Sequence, residues 1–309
     1  RRHAAGRARP STHNTRVYSI DMAALASFTP LHEAAHRGDA ASIQTMLSTT
    51  PPVDLAIKTS KGDTALHLVS LGTHVDALTL LLSAQPPPDA NATNADGWTP
   101  LMLTLLADSR SKHSCIQLLL RHGASIMPVA SGGWNAVILA ASKGDHIGLA
   151  TLLELGGAGA LPILPLTTSE VLPTVLSALT AAGDSALHLA AHAGSALCVR
   201  LLLAAGIDAS LINAQGLDAA TLCVSAACGV QNDPSITVSD EMTSRYEEIL
   251  TRLAASTDDK TKWCAMHGHL LRTIAGAPPS VPPRRLLALA SCLRRCGIDE
   301  AAELGLQHN

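Results

Sequence analysis

The stretch Thr29-Pro-Leu-His-Glu-Ala-Ala35 recurs in register along the chain. Further copies begin at Thr64, Thr99, Asn135 and Ser185, and a weaker one begins at Asp218. Successive copies are offset by 35, 35, 36, 50 and 33 residues, so a single step departs from a period of 33 to 36 residues. A fixed period of this length predicts a stack of similar units, in which each unit covers the apolar faces of its neighbours.

Each copy carries the signals that begin a helix. Thr, Ser, Asn or Asp stands at the first position, where its side-chain oxygen can accept from unpaired backbone N–H groups, and Pro30 and Pro100 occupy the next position. Gly38, Gly144 and Gly194 follow about nine residues later and permit a tight turn. Second helices are predicted from the apolar runs at 43–47, 77–82, 116–120, 147–153 and 197–204.

Over residues 28 to 255 this pattern resembles the ankyrin-repeat family. The resemblance implies an all-α fold, a solenoid of stacked helix pairs with short β-hairpin fingers that project from one side. It also implies a function: such a solenoid binds a partner protein through its concave surface, formed by the fingers and the first helices.

The chain divides into three parts. We expect a disordered basic arm at 1–21 and about six ankyrin repeats at 22–259, with insertions at 157–183 and 231–240. Residues 260–309 contain two apolar segments separated by a Pro-rich break, which predicts a C-terminal helical cap or tail.

Charge is distributed unevenly along the chain. The net charge is −3, but residues 21–259 hold ten basic and twenty-two acidic side chains, whereas both ends are basic. An acidic body favours a basic protein partner and argues against binding of nucleic acid. No small-molecule substrate is expected.

Composition also limits the compartment. The seven cysteines have no disulfide-framework spacing, which favours a reducing compartment, the cytoplasm or, as the alternative, the nucleus. The most apolar stretch, near residues 147–166, contains Glu154, four Gly and two Pro, so no membrane span is expected.

In the family, the residue before the repeated Thr lies at the fingertip and commonly faces the partner. Here that column contains Phe28, Asp63, Trp98, Trp134, Asp184 and Leu217. Because the chain has six aromatic residues and three of them fall in this column, Trp98 and Trp134 are the leading candidates for binding, with Phe28, Asp63 and Asp184 beside them. The alternative is that these rings stiffen the stack. By the same resemblance Arg37, Lys143 and His192 edge the concave surface.

One motif points to different chemistry. His32-Glu33-Ala34-Ala35-His36 matches the zinc-hydrolase pattern, in which two His one helical turn apart bind the metal and Glu acts as general base. The repeat accounts for the match, since His32 aligns with His67 and His188, and we expect these histidines to bond backbone groups between fingers. We therefore expect no enzymatic activity, no cofactor and no metal, with a zinc-dependent hydrolase as the remote alternative.

Two further readings concern the tail. Five side chains there are permissible zinc ligands, although their spacing matches no zinc motif: Cys264, His267, His269, Cys292 and Cys296. The tail is also loosely similar to the adaptor box through which some ankyrin proteins recruit ubiquitin ligases, but Ala265 follows Cys264 where that box has Arg. A substrate-recognition adaptor of a ubiquitin ligase is thus the alternative function.

Overall fold

A computed structural model describes residues 28–49, 53–157, 168–228, 240–256, 263, 267, 269–275, 277 and 283–298. The expected arm at 1–21 lies outside these residues, as do 158–167 of the first insertion and 231–239 of the second. About half of the expected tail, 260–309, also lies outside them.

The described chain is built from pairs of short helices. The first helices of the pairs are α1 (Pro30–Arg37), α3 (Ala65–Gly72), α5 (Pro100–Leu106), α7 (Ala136–Ser142), α10 (Ala186–His192) and α12 (Ala219–Ala227). The second helices are α2 (Ala40–Leu47), α4 (Val75–Leu82), α6 (Lys112–Arg121), α8 (His146–Gly157), α11 (Ala196–Ala204) and α13 (Asp240–Ala255). Three helices fall outside this scheme: α9 (Thr168–Leu176), α14 (His269–Ala275) and α15 (Pro283–Arg295).

The helix pairs stack into two layers. Each first helix packs on the next first helix, from α1 to α3, α5, α7, α10 and α12, and the second helices pack in the same order from α2 to α13. Paired alanines such as Ala34 and Ala35 are almost fully buried between first helices, so small side chains let these helices approach closely. The predicted solenoid of stacked helix pairs is confirmed.

The helices begin where the sequence predicts. The side chains of Thr29, Thr99, Asn135, Ser185 and Asp218 each accept from the backbone N–H three residues on, which satisfies a donor that the helix leaves unpaired. Helix α1 ends at Gly38, whose φ of 69° is left-handed.

Five turns link each second helix to the next pair, and we call them finger turns: residues 59–63, 94–98, 130–134, 180–184 and 213–217. In each, the first N–H donates to the carbonyl of the fifth residue, at 2.7 to 3.0 Å. Neighbouring turns are joined by one backbone hydrogen bond, as between Ala95 N and Lys61 O (3.0 Å). The described residues contain an isolated bridge between Ala130 and Trp134 but no strand, so the expected β-hairpin fingers are seen there as tight turns.

The 50-residue step does not interrupt this row of turns. Ala181 N donates to Gly132 O at 2.7 Å, so the turn after the insertion bonds directly to the turn before it. Helix α9 packs beside α8, and its Val175 carbonyl accepts from Nδ2 of Asn135 (3.1 Å). The described part of the insertion is therefore attached to the side of the stack.

The C-terminal helices cover the last pair. Helix α15 packs against α13 and α14, and α14 contacts α12. Leu289, Cys292, Leu293 and Ile298 are completely buried there. None of the helices in the described ranges combines the length and apolar character needed to cross a bilayer.

Candidate functional site

The repeated histidines join neighbouring repeats. The ring Nε2 atoms of His67 and His188 donate to the carbonyls of Trp98 (3.1 Å) and Leu217 (3.0 Å), in the next finger turn. Their Nδ1 atoms accept from the backbone N–H of the residue that caps the same helix. Burial lowers the pKa of both rings, as it does for His32, and so favours the neutral form that this bonding requires. The predicted structural role is confirmed.

His32, the first residue of the zinc-hydrolase motif, bonds in the same way. Nε2 of His32 lies 3.1 Å from the carbonyl of Ile57, and Nδ1 lies 2.9 Å from the Thr29 hydroxyl. Both ring nitrogens are engaged, so neither is left to bind a metal beside His36. Among the residues that the structure describes, no group of three or more His, Cys, Asp or Glu could hold a metal ion.

Asp63 and Asp184, expected to face a partner, are buried inside the stack. Asp63 is 3% exposed and Asp184 is 2% exposed. Oδ1 of each accepts from an asparagine of the next finger turn, Asn94 for Asp63 and Asn213 for Asp184, both at 2.8 Å. The assignment of these two aspartates to partner binding is therefore wrong. Each carboxylate is buried and bonded to a side-chain amide of the next repeat.

The two tryptophans occupy an intermediate position. Trp98 and Trp134 are half-buried, with part of each ring packed against the hydrophobic core. The Trp98 backbone N–H donates to Oδ1 of Asn94 (2.9 Å), which fixes the end of its finger turn. Each ring thus has a supported inner edge and a part that solvent reaches, an arrangement suited both to stiffening the turn and to contacting a partner.

Phe28 lies at the N-terminal end of the described stack. Its ring is half-buried and contacts the rings of His32 and His36, with centroids 5.8 and 6.2 Å apart. It therefore packs on α1.

The three polar candidates at the C-terminal ends of the first helices differ in exposure. Arg37 and Lys143 are exposed, and His192 is half-buried. Arg37 lies 3.8 Å from Glu33 on the same helix, a solvent-exposed pair that adds little stability. The long side chains of Arg37 and Lys143 are accessible to a partner.

A row of exposed apolar side chains was missed by the sequence analysis. Val129 (54% exposed), Leu179 (42%) and Ile212 (59%) each come directly before the first residue of a finger turn. They occupy equivalent positions in three successive turns. Each lies six residues before the first residue of a repeated copy, Asn135, Ser185 or Asp218, so the repeat register is the signal that could have identified them.

In the tail, His267 is bound to the last repeat. It pairs through Nε2 with the carboxylate of Asp218, and its Nδ1 bonds to the Trp263 carbonyl (2.8 Å). A carbonyl and a carboxylate both accept hydrogen bonds, so an acceptor faces each ring nitrogen. Burial alone would raise the pKa of Asp218, but the bond and charge of His267 and the N–H of Thr221 lower it to about 2. His267 is therefore occupied and is not a candidate zinc ligand.

Comparison with known proteins agrees with this geometry. The family model of ankyrin repeats in three copies matches residues 70–160, and that of a single ankyrin repeat matches 182–216. The nuclear factor NF-kappa-B p105 subunit of Gallus gallus is 28% identical over 183 residues, which are 58% of this chain and 17% of that protein. The chain thus matches less than a fifth of the length of that relative.

Solved structures show the same fold. An ankyrin repeat domain from Acinetobacter baumannii superposes with a TM-score of 0.55 at 21% identity, over 74% of this chain and 97% of that one. A chain from the complex of the Bd0816 predatory endopeptidase of Bdellovibrio bacteriovorus with the immunity protein Bd3460 gives 0.53 at 22% identity, over 65% and 93%. Ankyrin repeats are generally protein-interaction domains, and proteins built from them are typically not enzymes. The repeat geometry, the family matches and the shared fold identify this chain as an ankyrin-repeat protein.

Proposed function

We propose that the chain is an interaction scaffold or adaptor, which holds a partner protein on its finger turns and first helices and has no catalytic activity of its own. The observation that carries the proposal is the unbroken row of five finger turns, which sets Trp98 and Trp134 at equivalent positions of neighbouring turns. A partner that spans two turns would contact both rings.

The energetics favour these two positions. Trp buries a large area with few rotatable bonds and is enriched at interface positions that dominate binding energy. Because the inner edge of each ring already packs on the core, little further side-chain entropy is lost when a partner covers the remainder. Arg37, at the end of α1, and Lys143, directly after α7, are exposed and would contribute at the edge of such an interface.

The charge of the repeats supports a basic partner. Residues 21–259 carry twelve more acidic than basic side chains, twenty-two against ten, and this excess raises the rate at which a basic protein meets the array. We extend the proposal to a reducing compartment such as the cytoplasm, because the spacing of the seven cysteines matches no disulfide framework. The Bdellovibrio chain with a similar fold comes from a complex of two proteins, which supports the same kind of role here.

The test is affinity purification of the wild type beside the Trp98→Ala/Trp134→Ala double variant, with mass spectrometry of the proteins recovered. Loss of both rings is expected to weaken the partner complex by about 2–4 kcal/mol while the variant keeps its helical circular dichroism. The matched control is Ile147→Ala, because Ile147 is an exposed apolar residue (50%) on second helix α8. Equal recovery with wild type and double variant would move the interface away from the tryptophans.

A further inference from the structure

The exposed apolar side chains of this protein are concentrated beside the finger turns. Eight large apolar side chains are exposed in the described residues, and five of them lie in the segments that lead into finger turns: Ile57, Met127, Val129, Leu179 and Ile212. Scattered exposed apolar residues need no explanation, but a row at equivalent positions of successive repeats indicates a binding surface. We call Val129, Leu179 and Ile212 the apolar row.

The stack keeps the members of the row in order. Val129, Leu179 and Ile212 each precede the residue whose N–H closes a finger turn, and the three turns are bonded to one another at Gly132–Ala181 (2.7 Å) and Ala182–Ala214 (3.0 Å). The row is therefore continuous across the 50-residue step. It ends towards the N-terminus, where the equivalent positions are Thr93 and Lys58, and Nζ of Lys58 donates to the Thr93 carbonyl (2.9 Å).

The segments that hold the row contain little charge, although the carboxylate of Asp208 bonds to Ser210, two residues before Ile212. Residues 127–134, 177–184 and 210–217 contain one charged side chain, Asp184, which is buried and bonded to Asn213. The two N-terminal finger turns differ, because residues 56–63 contain Lys58 and Lys61, and residues 91–98 contain Asp96. A charged partner residue placed over the apolar row would lose its hydration without gaining an ion pair, so the row selects an uncharged segment.

The spacing of the row selects a backbone conformation for that segment. The first helices α7, α10 and α12 follow these finger turns and pack side by side, and axes of packed helices are about 8–10 Å apart. Because the members of the row stand at equivalent positions of the three repeats, they repeat at about that distance. In a polyproline II helix every third side chain lies on one face, with a repeat of about 9 Å. Alternate side chains of a β-strand repeat at about 7 Å and would fall out of register over three positions.

We infer that the apolar row binds an uncharged, extended segment of the partner protein, about seven residues long, in the polyproline II conformation with an apolar side chain at every third position. The inference rests on the proposed function and assigns part of the partner contact to Val129, Leu179 and Ile212. The segment lies along the three C-terminal finger turns and ends before the polar turns that contain Thr93 and Lys58.

The probe is the fluorescein-labelled peptide Leu-Pro-Pro-Leu-Pro-Pro-Leu-Pro-Pro, and the control peptide places its three leucines side by side before six prolines. Fluorescence anisotropy is expected to show that the probe binds the full chain at least about tenfold more tightly than the control peptide, because the probe alone presents all its leucines at the spacing of the row. Leu179→Ser and Ile212→Ser should each weaken probe binding about fivefold or more.

Ile147→Ser is the matched control variant, since it removes a side chain that is as exposed as those of the row but lies on α8. Circular dichroism checks that each variant is folded. Equal affinity for the two peptides would overturn the inference, and so would an equal loss in Ile147→Ser and Leu179→Ser. Self-association of the free chain that the Leu179→Ser and Ile212→Ser variants abolish would replace the partner segment by a second copy and also overturn it.

The same variants separate this inference from the proposed function. If a partner is captured by wild type, lost by Trp98→Ala/Trp134→Ala and fully retained by Leu179→Ser/Ile212→Ser, the scaffold function stands and the apolar row is not its contact. If peptide binding follows the row but the tryptophan variant keeps its partner, the row is the contact and the assignment to Trp98 and Trp134 fails.

Discussion

Asn213 donates from Nδ2 to Oδ1 of Asp184 at 2.8 Å, across the boundary between two repeats. Oδ1 of the same asparagine accepts from the Leu217 N–H (3.0 Å), which closes its own finger turn. One amide thus ties a turn together and attaches it to the repeat before it. Asn94 makes the same two contacts, with Asp63 (2.8 Å) and with the Trp98 N–H (2.9 Å).

Asn213→Ala is expected to destabilise the protein by about 1–3 kcal/mol, because it leaves the buried carboxylate of Asp184 without the amide. The coupling to Asp184 is measured by a double-mutant cycle with Asp184→Ala in urea unfolding. Additive losses would show that the two side chains do not stabilise the stack through each other.

The finger turns also depend on glycine where neighbouring turns touch. Gly183 has a φ of 76°, and a Cβ built on it would lie 2.6 Å from the Ala214 backbone nitrogen of the next turn. Gly216 has nearly the same φ, 74°, but a Cβ there meets nothing within 4 Å. Alanine substitutions at these two glycines therefore separate two free-energy costs. One is the cost of a left-handed φ, and the other is the cost of disturbing the contact between neighbouring turns.

Both Gly183→Ala and Gly216→Ala are expected to lose about 1–2 kcal/mol, because alanine resists a left-handed φ. Gly183→Ala should lose about 1–3 kcal/mol more, since the methyl group forces two turns apart. Thermal unfolding of the two variants makes the comparison. Equal Tm values would mean that the turns do not support one another at this contact.

The helix pairs and their order could be predicted from the sequence because their signals are local. A capping residue such as Thr29 or Ser185 and the apolar spacing that follows act within a few residues. The role of His67 was also predictable, because a polar ring on a buried helix face must find a bonding partner.

The candidate site was predicted less well because it depends on contacts between repeats. Asp63 is polar and stands in the fingertip column, yet its side chain is buried and bonded to Asn94, thirty-one residues later. The apolar row was missed for a related reason. Val129, Leu179 and Ile212 can be aligned from the repeated copies, but the exposure of each side chain depends on how neighbouring repeats pack.

The repeated histidines predict a dependence of stability on pH. Burial lowers the pKa of His188 in the folded state, so the unfolded chain binds a proton more readily. The stability that the neutral ring provides is therefore complete above the unfolded pKa of about 6.5 and is lost as pH falls through it towards the lowered value. His32 and His67 shift in the same direction and add to the effect.

His188→Gln should make the free energy of unfolding depend less on pH between 7 and 5, by up to about 1.4 kcal/mol per pH unit, because an amide does not titrate. His188→Met is the matched variant, since Met102 stands at this position in the third repeat. It should remove the same titration and cost more at pH 7, where it also loses the bond to the Leu217 carbonyl. An unchanged slope in both variants would assign the pH dependence to other groups.

The pair of Asp218 and His267 predicts a second, more acidic transition. The pKa of Asp218 is lowered to about 2 in the folded state, so the charged carboxylate stabilises the protein above the unfolded value near 3.9, and this contribution is lost as pH falls from there towards 2. The contact joins the tail to the N-terminus of α12, which means that acid should loosen the tail from the last repeat.

Asp218→Asn keeps an oxygen that can cap α12 but removes the charge opposite His267. We expect it to lose about 2–3 kcal/mol at pH 7 and to unfold with a weaker dependence on pH below 4, both measured in urea. Asp39→Asn is the matched control, because Asp39 caps α2 through Ser42 without a histidine opposite it, and asparagine caps a helix as well as aspartate does. Equal losses in the two variants would show that Asp218 acts as a helix cap alone, and that the charge of His267 does not hold the tail on the last repeat.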